Sequence, residues 1–183
     1  MKYNESYFVS LDIITSGKDS RKDRILKLDA VRFSSDGEPG KRFHKICNPE
    51  IELDSYIQNI TGISNNQLKG AEPSKKVIEE FFDFLSGAIL VTYSANFAMN
   101  SINTECERLG VLKFANTVID VITAAKRIYP TAINYYLPQV VQLAGINVEE
   151  PNAYQIGKLW IEFGKMAKIK NMNTSFAVSR AYS

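Results

Sequence analysis

Residues 8–17, FVSLDIITSG, constrain the chain more than any other stretch. Phe8, Val9 and Leu11 form a short apolar run, Asp12 interrupts it, and Ile13 and Ile14 resume it. A strand covered on both faces reads as continuous hydrophobics, so a carboxylate near its C-terminal end is either an energetic cost or a site. In open α/β sheets the crevice for ligands lies at the carboxyl ends of the strands, which is where Asp12 falls. Thr15, Ser16 and Gly17 then supply turn chemistry, small hydroxyls followed by a residue free to take a positive φ.

The rest of the chain reads as one domain over residues 1–170, with a loose tail at 171–183. Residues 24–34 (RILKLDAVRFS) predict a strand of imperfect alternation, and the turn-dense SDGEPG returns the chain as a strand over 41–47. These three strands form a meander. Asn48-Pro49 opens a long stretch, to Glu72, in which no helix or strand is expected. Pro73 then stands near the first turn of a helix whose stripe is Val77, Ile78, Phe81, Phe82 and Leu85. Residues 88–92 (AILVT) predict a buried parallel strand, and a helix over 97–109 ends at Gly110 as a left-handed cap. A brief strand at Val118-Ile119 runs into Asp120, whose expected role is to cap the helix that begins at Val121. Helices starting at Tyr136-Leu137-Pro138 and covering 153–168 complete the pattern. A meander followed by alternating helices and strands implies an α/β fold, a mixed five-stranded sheet flanked by helices.

Composition bounds the function only loosely. The 183 residues are 45% hydrophobic and 23% charged, enough for a sizeable core, and the net charge of +2 does not by itself argue for nucleic acid. From residue 111 onward eight Lys or Arg stand against four Asp or Glu, a mild basic bias that suits a solvated helix face. Cys47 and Cys106 lie far apart, with neither zinc spacing nor a disulfide framework, which suits a reducing cytoplasm. No apolar run approaches the length of about eighteen residues that spans a bilayer, and no signal peptide is expected.

Asp12-Ile13-Ile14-Thr15-Ser16-Gly17 resembles the first motif of the DnaQ-type (DEDDh) 3′–5′ exonucleases, D-x-E-T-T-G. These are the proofreading subunit or domain of bacterial replicative polymerases. Asn48-Pro49, Thr61-Gly62-Ile63, Ala95-Asn96-Phe97-Ala98-Met99 and Val118-Ile119-Asp120 continue the resemblance at family-like separations. It covers residues 7–168 and implies a ribonuclease-H-like architecture. It also implies phosphodiester hydrolysis by two Mg²⁺ or Mn²⁺ ions about 3.5–4 Å apart, held by four carboxylates and served by a histidine base.

Of those five positions Asp12 alone keeps its family residue. Ile14 stands where the glutamate belongs, and Ala98 where the family's H-N-A-S-F-D-M has its aspartate. Placing the last motif, H-x-A-x-x-D, on Ala153 puts Pro151 at the histidine and Ile156 at the final aspartate. The tyrosine-type variant, Y-x-x-x-D, fails because Lys158 follows Tyr154. Beyond Asp120 the only acids are Glu149, Glu150 and Glu162, and the chain's one histidine is His44, expected on the third strand in a surface or edge role.

The resemblance therefore implies a pseudo-exonuclease that binds no metal cofactor. Thr15, Ser16, Thr61, Gly62, Ile63 and Phe97 are its candidate contacts to the 3′ end of single-stranded DNA or RNA. An active exonuclease is the second reading and needs substitute acids. Glu5, Asp19, Asp23 and Asp29 are near in sequence, though strand geometry directs most of them elsewhere. A module that docks a polymerase or another protein is the third. No membrane partner is expected.

Overall fold

The computed structural model describes residues 8–34, 36–113, 115–147, 149–169 and 178–180. Strand β1 (Phe8–Thr15) lies at the centre, antiparallel to β2 (Ile25–Phe33) on one side. The meander continues to β3 (Pro39–Asn48). After the short helices α1 (Ser55–Thr61) and α2 (Asn65–Lys69) comes β4 (Glu72–Pro73), two residues parallel to the end of β3. Helix α3 (Ser74–Leu85) then leads to β5 (Ile89–Thr92), which pairs parallel with the other side of β1. Helix α4 (Ala95–Leu109) crosses to β6 (Thr117–Asp120), parallel to β5. Helices α5 (Val121–Ile128), α6 (Leu137–Leu143) and α7 (Asn152–Ile169) follow, and β7 (Val178–Arg180) closes the edge antiparallel to β6. The strand order is β4-β3-β2-β1-β5-β6-β7. The sheet is mixed and helix-flanked, as expected.

Three expectations need correction. The sheet has seven strands rather than five, because β4 and β7 add short edges. The segment after Asn48-Pro49 contains two helices, each ended by local chemistry. Asp54 accepts the Ile57 N–H at the start of α1, Gly62 takes φ 69° at its end, and Ser64 and Gln67 close a reciprocal capping box on α2. In the tail, residues 178–180 pair with β6; residues 171–177 and 181–183 lie outside the described residues.

Each face of the sheet buries its own core. On one face Val9, Leu11, Leu28, Ala30, Leu90 and Val118 pack against Val77, Ile78, Phe81 and Leu85 of α3 and Ile102 and Cys106 of α4. Each such fully buried side chain stabilises by about 1.5–3 kcal/mol before entropy is counted. On the other face Val91 and Ile119 meet α5 and α6, together with Ile156, Leu159 and Phe163 of α7. Here α7 also covers Val31 and Phe33 through Ala153, while Leu53, Ile63 and Leu68, from α1, α2 and their connections, pack on Leu26. No helix among the described residues is long and apolar enough to cross a membrane.

Gly157 sets how closely α7 approaches the sheet. A Cβ there would lie 2.2 Å from Phe33 Cε2. That ring is fully buried and stacked on Phe8 at 5.1 Å, so it has nowhere to swing. Alanine in a helix interior ordinarily gains about 1 kcal/mol over glycine. Here the clash is expected to reverse the sign, and Gly157→Ala should lose about 1–3 kcal/mol in a urea titration. A gain in stability would contradict this packing.

Candidate functional site

Side chains alternate along each strand, and directly opposed residues share a face, so the register fixes what lines the sheet beside Asp12. On the α7 face, Asp12 of β1 opposes Asp29 of β2, which opposes His44 of β3. One step further along β1, Ile14 opposes Lys27, which opposes Ile46. Val31 and Phe33 are covered by α7, and Ile14, Leu26 and Ile46 pack with the α1–α2 cluster. Between these covers lies a strip floored by Asp12, Asp29 and Lys27, with Arg42 and His44 along β3.

Asp12 Oδ2 accepts a hydrogen bond from Asn152 Nδ2, at the start of α7, at 3.3 Å. Burial raises the Asp12 carboxyl above its ordinary value. The Asn152 bond pulls it down, Asp29 pushes it up, Lys27 pulls it down, and the net shift is upward. Asp29 is buried at 4% exposure and receives a two-pronged contact from Arg42, Nε to Oδ1 at 2.9 Å and Nη2 to Oδ2 at 2.7 Å. His44 Nδ1 lies 3.2 Å from Asp29 Oδ2. Burial also pushes Asp29 up, but Arg42 and then His44 outweigh it, leaving this carboxyl below its usual range.

The positions matched to family ligands differ in their surroundings. Ile14 is half-buried and packs against the Leu26–Ile63 cluster. Ala98 and Ile156 are buried, the latter in the core beneath α7. Pro151 is half-buried just before α7, and its carbonyl accepts the Gln155 N–H. Among the described residues no group of three or more His, Cys, Asp or Glu is placed to hold a metal ion.

The candidate strand contacts fall into two sets. Ile63 is buried in the cluster that touches Ile14. Gly62 ends α1 exposed, and the Thr61 hydroxyl donates to Ile57 O and accepts from Ile63 N–H. Phe97 is half-buried in the first turn of α4. Thr15 and Ser16 are engaged in the connection after β1. The Thr15 hydroxyl donates to Gly17 O, and Ser16 Oγ donates to Asp23 Oδ1 while accepting the Arg24 N–H. Thr15 opposes Ile25, which packs on the α3 side of the sheet, away from Asp12.

Of the acids near Asp12 in sequence, Asp29 is the one the sheet brings beside it. Asp19 and Asp23 bond within the β1–β2 connection, and Glu5 lies outside the described residues. Sequence reasoning did not find the Asp29–Arg42–His44 group. Its signal is the alternation over Arg42 and His44 opposite a lone Asp29, readable only once the hairpin register is known. Asp120 stands at the N-cap of α5, as expected, but its side chain makes no bond to that helix's backbone. Its Oδ2 accepts from the Thr123 hydroxyl at 2.8 Å, and its Oδ1 accepts the Ala95 N–H at 3.3 Å. It therefore caps the start of α4 rather than the backbone of the helix it precedes.

A family model described as Exonuclease matches residues 9–151. The DNA polymerase III PolC-type of Halalkalibacterium halodurans is 34% identical over 133 residues, which is 73% of this chain and 9% of that protein. The 3′-5′ exonuclease DinG of Bacillus subtilis is 27% identical over 150 residues, 81% of this chain and 16% of that protein. The chain thus spans only a small part of the curated relatives it matches. Among solved structures, exonuclease I of E. coli in complex with a dT13 oligonucleotide superposes with a TM-score of 0.74 at 18% identity, covering 91% of this chain and 41% of that one. A 3′-exonuclease recognising the 3′ end of a histone mRNA stem-loop gives 0.73 at 16% identity, covering 100% and 93%. These two likenesses speak to the fold.

A carboxyl whose pKa is higher folded than unfolded holds more protons in the native state, so stability falls as pH rises from 3.8 through the raised value. Asp12→Asn removes that penalty and keeps an oxygen for Asn152. The variant should be more stable than the parent at pH 7, with the difference shrinking as the pH falls toward 3.8 in paired urea titrations. A loss of stability at pH 7 would mean that the charged carboxylate is itself structural.

Proposed function

This chain belongs to the DnaQ-like 3′–5′ exonuclease family, and we propose that it is a non-catalytic member that holds a nucleic-acid strand in the family's cleft. The observation that carries the reading is the pair Ile14 and Lys27. At the position matched to the second carboxylate the strand offers branched hydrocarbon, and the residue directly across from it is a lysine.

Two-metal hydrolysis needs several hard oxygen ligands around each ion. The residues present do not fit that centre. Among the described residues the carboxylate the sheet sets beside Asp12 is Asp29, and Asp29 is committed to Arg42 through both oxygens. The Lys27 ammonium, close enough to act on the Asp12 charge, opposes a divalent cation at the same place. Ala98 is buried, Ile156 is buried in an apolar cluster, and neither carries an oxygen ligand; Pro151 has no side-chain nitrogen to act as a base. Loss of clustered like charges, with hydrocarbon in their place, is what a site released from its chemistry would accumulate.

Strand binding is favoured by what remains. The strip between α7 and the α1–α2 cluster is the proposed path of the strand, with Thr61, Gly62, Ile63 and Phe97 as the proposed contacts; Thr15 faces the α3 side and Ser16 Oγ is spent on Asp23 and Arg24, so neither is among them. Aromatic side chains on which bases stack, in a positively charged groove, hold single strands without metal ions. Nucleic acid is also the partner of both solved neighbours described above. A protein-docking role is the competing reading, favoured by Ile133, Tyr136 and Leu143, whose apolar side chains are exposed between α5 and the end of α6.

The test is a gel assay with protein in excess over 3′-labelled single-stranded DNA, in EDTA, Mg²⁺ and Mn²⁺. Bound, intact DNA with equal affinity in all three is expected. Shortening of the strand that Asp12→Ala abolishes would overturn the proposal, and neither binding nor shortening would favour protein docking.

A further inference from the structure

The strip beside Asp12 carries a group that the family's metal chemistry does not call for. Asp29, His44 and Arg42 lie on one face of β2 and β3, in line with Asp12. The Asp29 side chain is 5% exposed, whereas those of Arg42 and His44 are 43% and 47% exposed. A carboxylate is thus sunk into the sheet while the two side chains it holds stand at the surface. Burying a charge is costly, and a well-packed apolar pair would stabilise such a hairpin as well or better. What the buried carboxylate adds is orientation, because it fixes two flexible cation-capable side chains in one place.

Their remaining hydrogen-bonding groups are defined by the contacts they make. Arg42 spends Nε and Nη2 on Asp29, which leaves the Nη1 edge of its planar fork. His44 Nδ1 lies 3.2 Å from both Arg42 Nη2 and Asp29 Oδ2. If Nδ1 accepts from Arg42, the proton of the neutral ring sits on Nε2. If Nδ1 donates to Asp29, Nε2 carries a proton when the ring is charged and accepts when it is neutral. With Nε2 protonated His44 presents a second donor, on the same face as Arg42, and Lys27 adds a third basic side chain between this pair and Ile14.

We infer that Arg42 and His44, oriented by buried Asp29, form a phosphodiester-binding station that holds the backbone of a single strand leading to Asp12. Guanidinium and imidazole donors fixed side by side suit the oxygens of a phosphodiester. The station supplies positive charge to a cleft that has none from metal ions. It rests on the strand-binding reading above and adds to it the residues that engage the backbone.

Fluorescence anisotropy in EDTA, with labelled oligo(dT) and oligo(U) and potassium chloride varied over about 50 to 200 mM, tests it. Three proteins are compared with the parent: His44→Ala, the double variant Arg42→Gln with Asp29→Asn, and Lys165→Ala on the exposed side of α7 as a control. The double variant removes both members of the buried pair, so no charge is left stranded. Circular dichroism confirms that each is folded. His44→Ala and the double variant should each bind about tenfold more weakly at the lowest salt. The double variant should also lower the slope of log affinity against log salt by about one, and Lys165→Ala should change neither quantity. Equal losses for oligo(dT) and oligo(U) are expected of a backbone contact; a loss on one alone would overturn a station that reads only phosphates. Parent-like affinity and slope in both variants would refute the station while leaving strand binding intact. A parent that binds neither oligonucleotide would refute both.

Discussion

The structure depends on a central strand that is covered on both faces for only part of its length. Val9, Ser10 and Leu11 are fully buried, while Asp12, Ile13 and Ile14 are half-buried. One cover is fixed by the fit of Gly157 against Phe33, which brings α7 down onto β2 and sets Asn152 over Asp12. The other is the α1–α2 cluster, anchored by Leu53, Ile63 and Leu68. Asp12 lies between these two covers, where Asn152 donates to it and burial raises its carboxyl above the ordinary value.

The charges around Asp12 decide what can be held there. An acidic floor attracts divalent ions and, through them, phosphate. Here one carboxylate is locked to an arginine, a lysine faces the neighbouring position, and an isoleucine occupies the place of the second ligand. On the reading proposed above, such a floor would meet a phosphate chain directly. Similar logic operates on the far side of the sheet, where buried Glu105 is held by Arg24 and Arg108, and Arg108 donates to the carbonyls of Ser20, Arg21 and Asp23. That group ties the connection after β1 to α4. The strand that carries Asp12 is therefore secured at its exit as well as along its length.

Features set by local chemistry were legible in the sequence. The apolar run ending in Asp12, the stripe of α3, the short buried strand β5 and the left-handed cap at Gly110 all follow from residues within a few positions of one another. The two short helices were missed although their caps were present, because neither segment carries a periodic apolar face longer than a turn or two. What was not legible was non-local. That Asp29 faces Asp12 depends on a hairpin register that shifts near Thr15, and that Asp120 caps α4 depends on β5 and β6 being neighbours. Gly157 carries no signal at all until the ring of Phe33 is placed above it.

The central claim is that this cleft has exchanged metal ions for basic side chains. Anomalous scattering from crystals soaked in manganese, with oligo(dT) bound, tests it most directly. No manganese peak at Asp12 and a phosphate against Arg42 and His44 is the predicted result. Two manganese peaks about 3.5–4 Å apart with Asp12 as a ligand would contradict it.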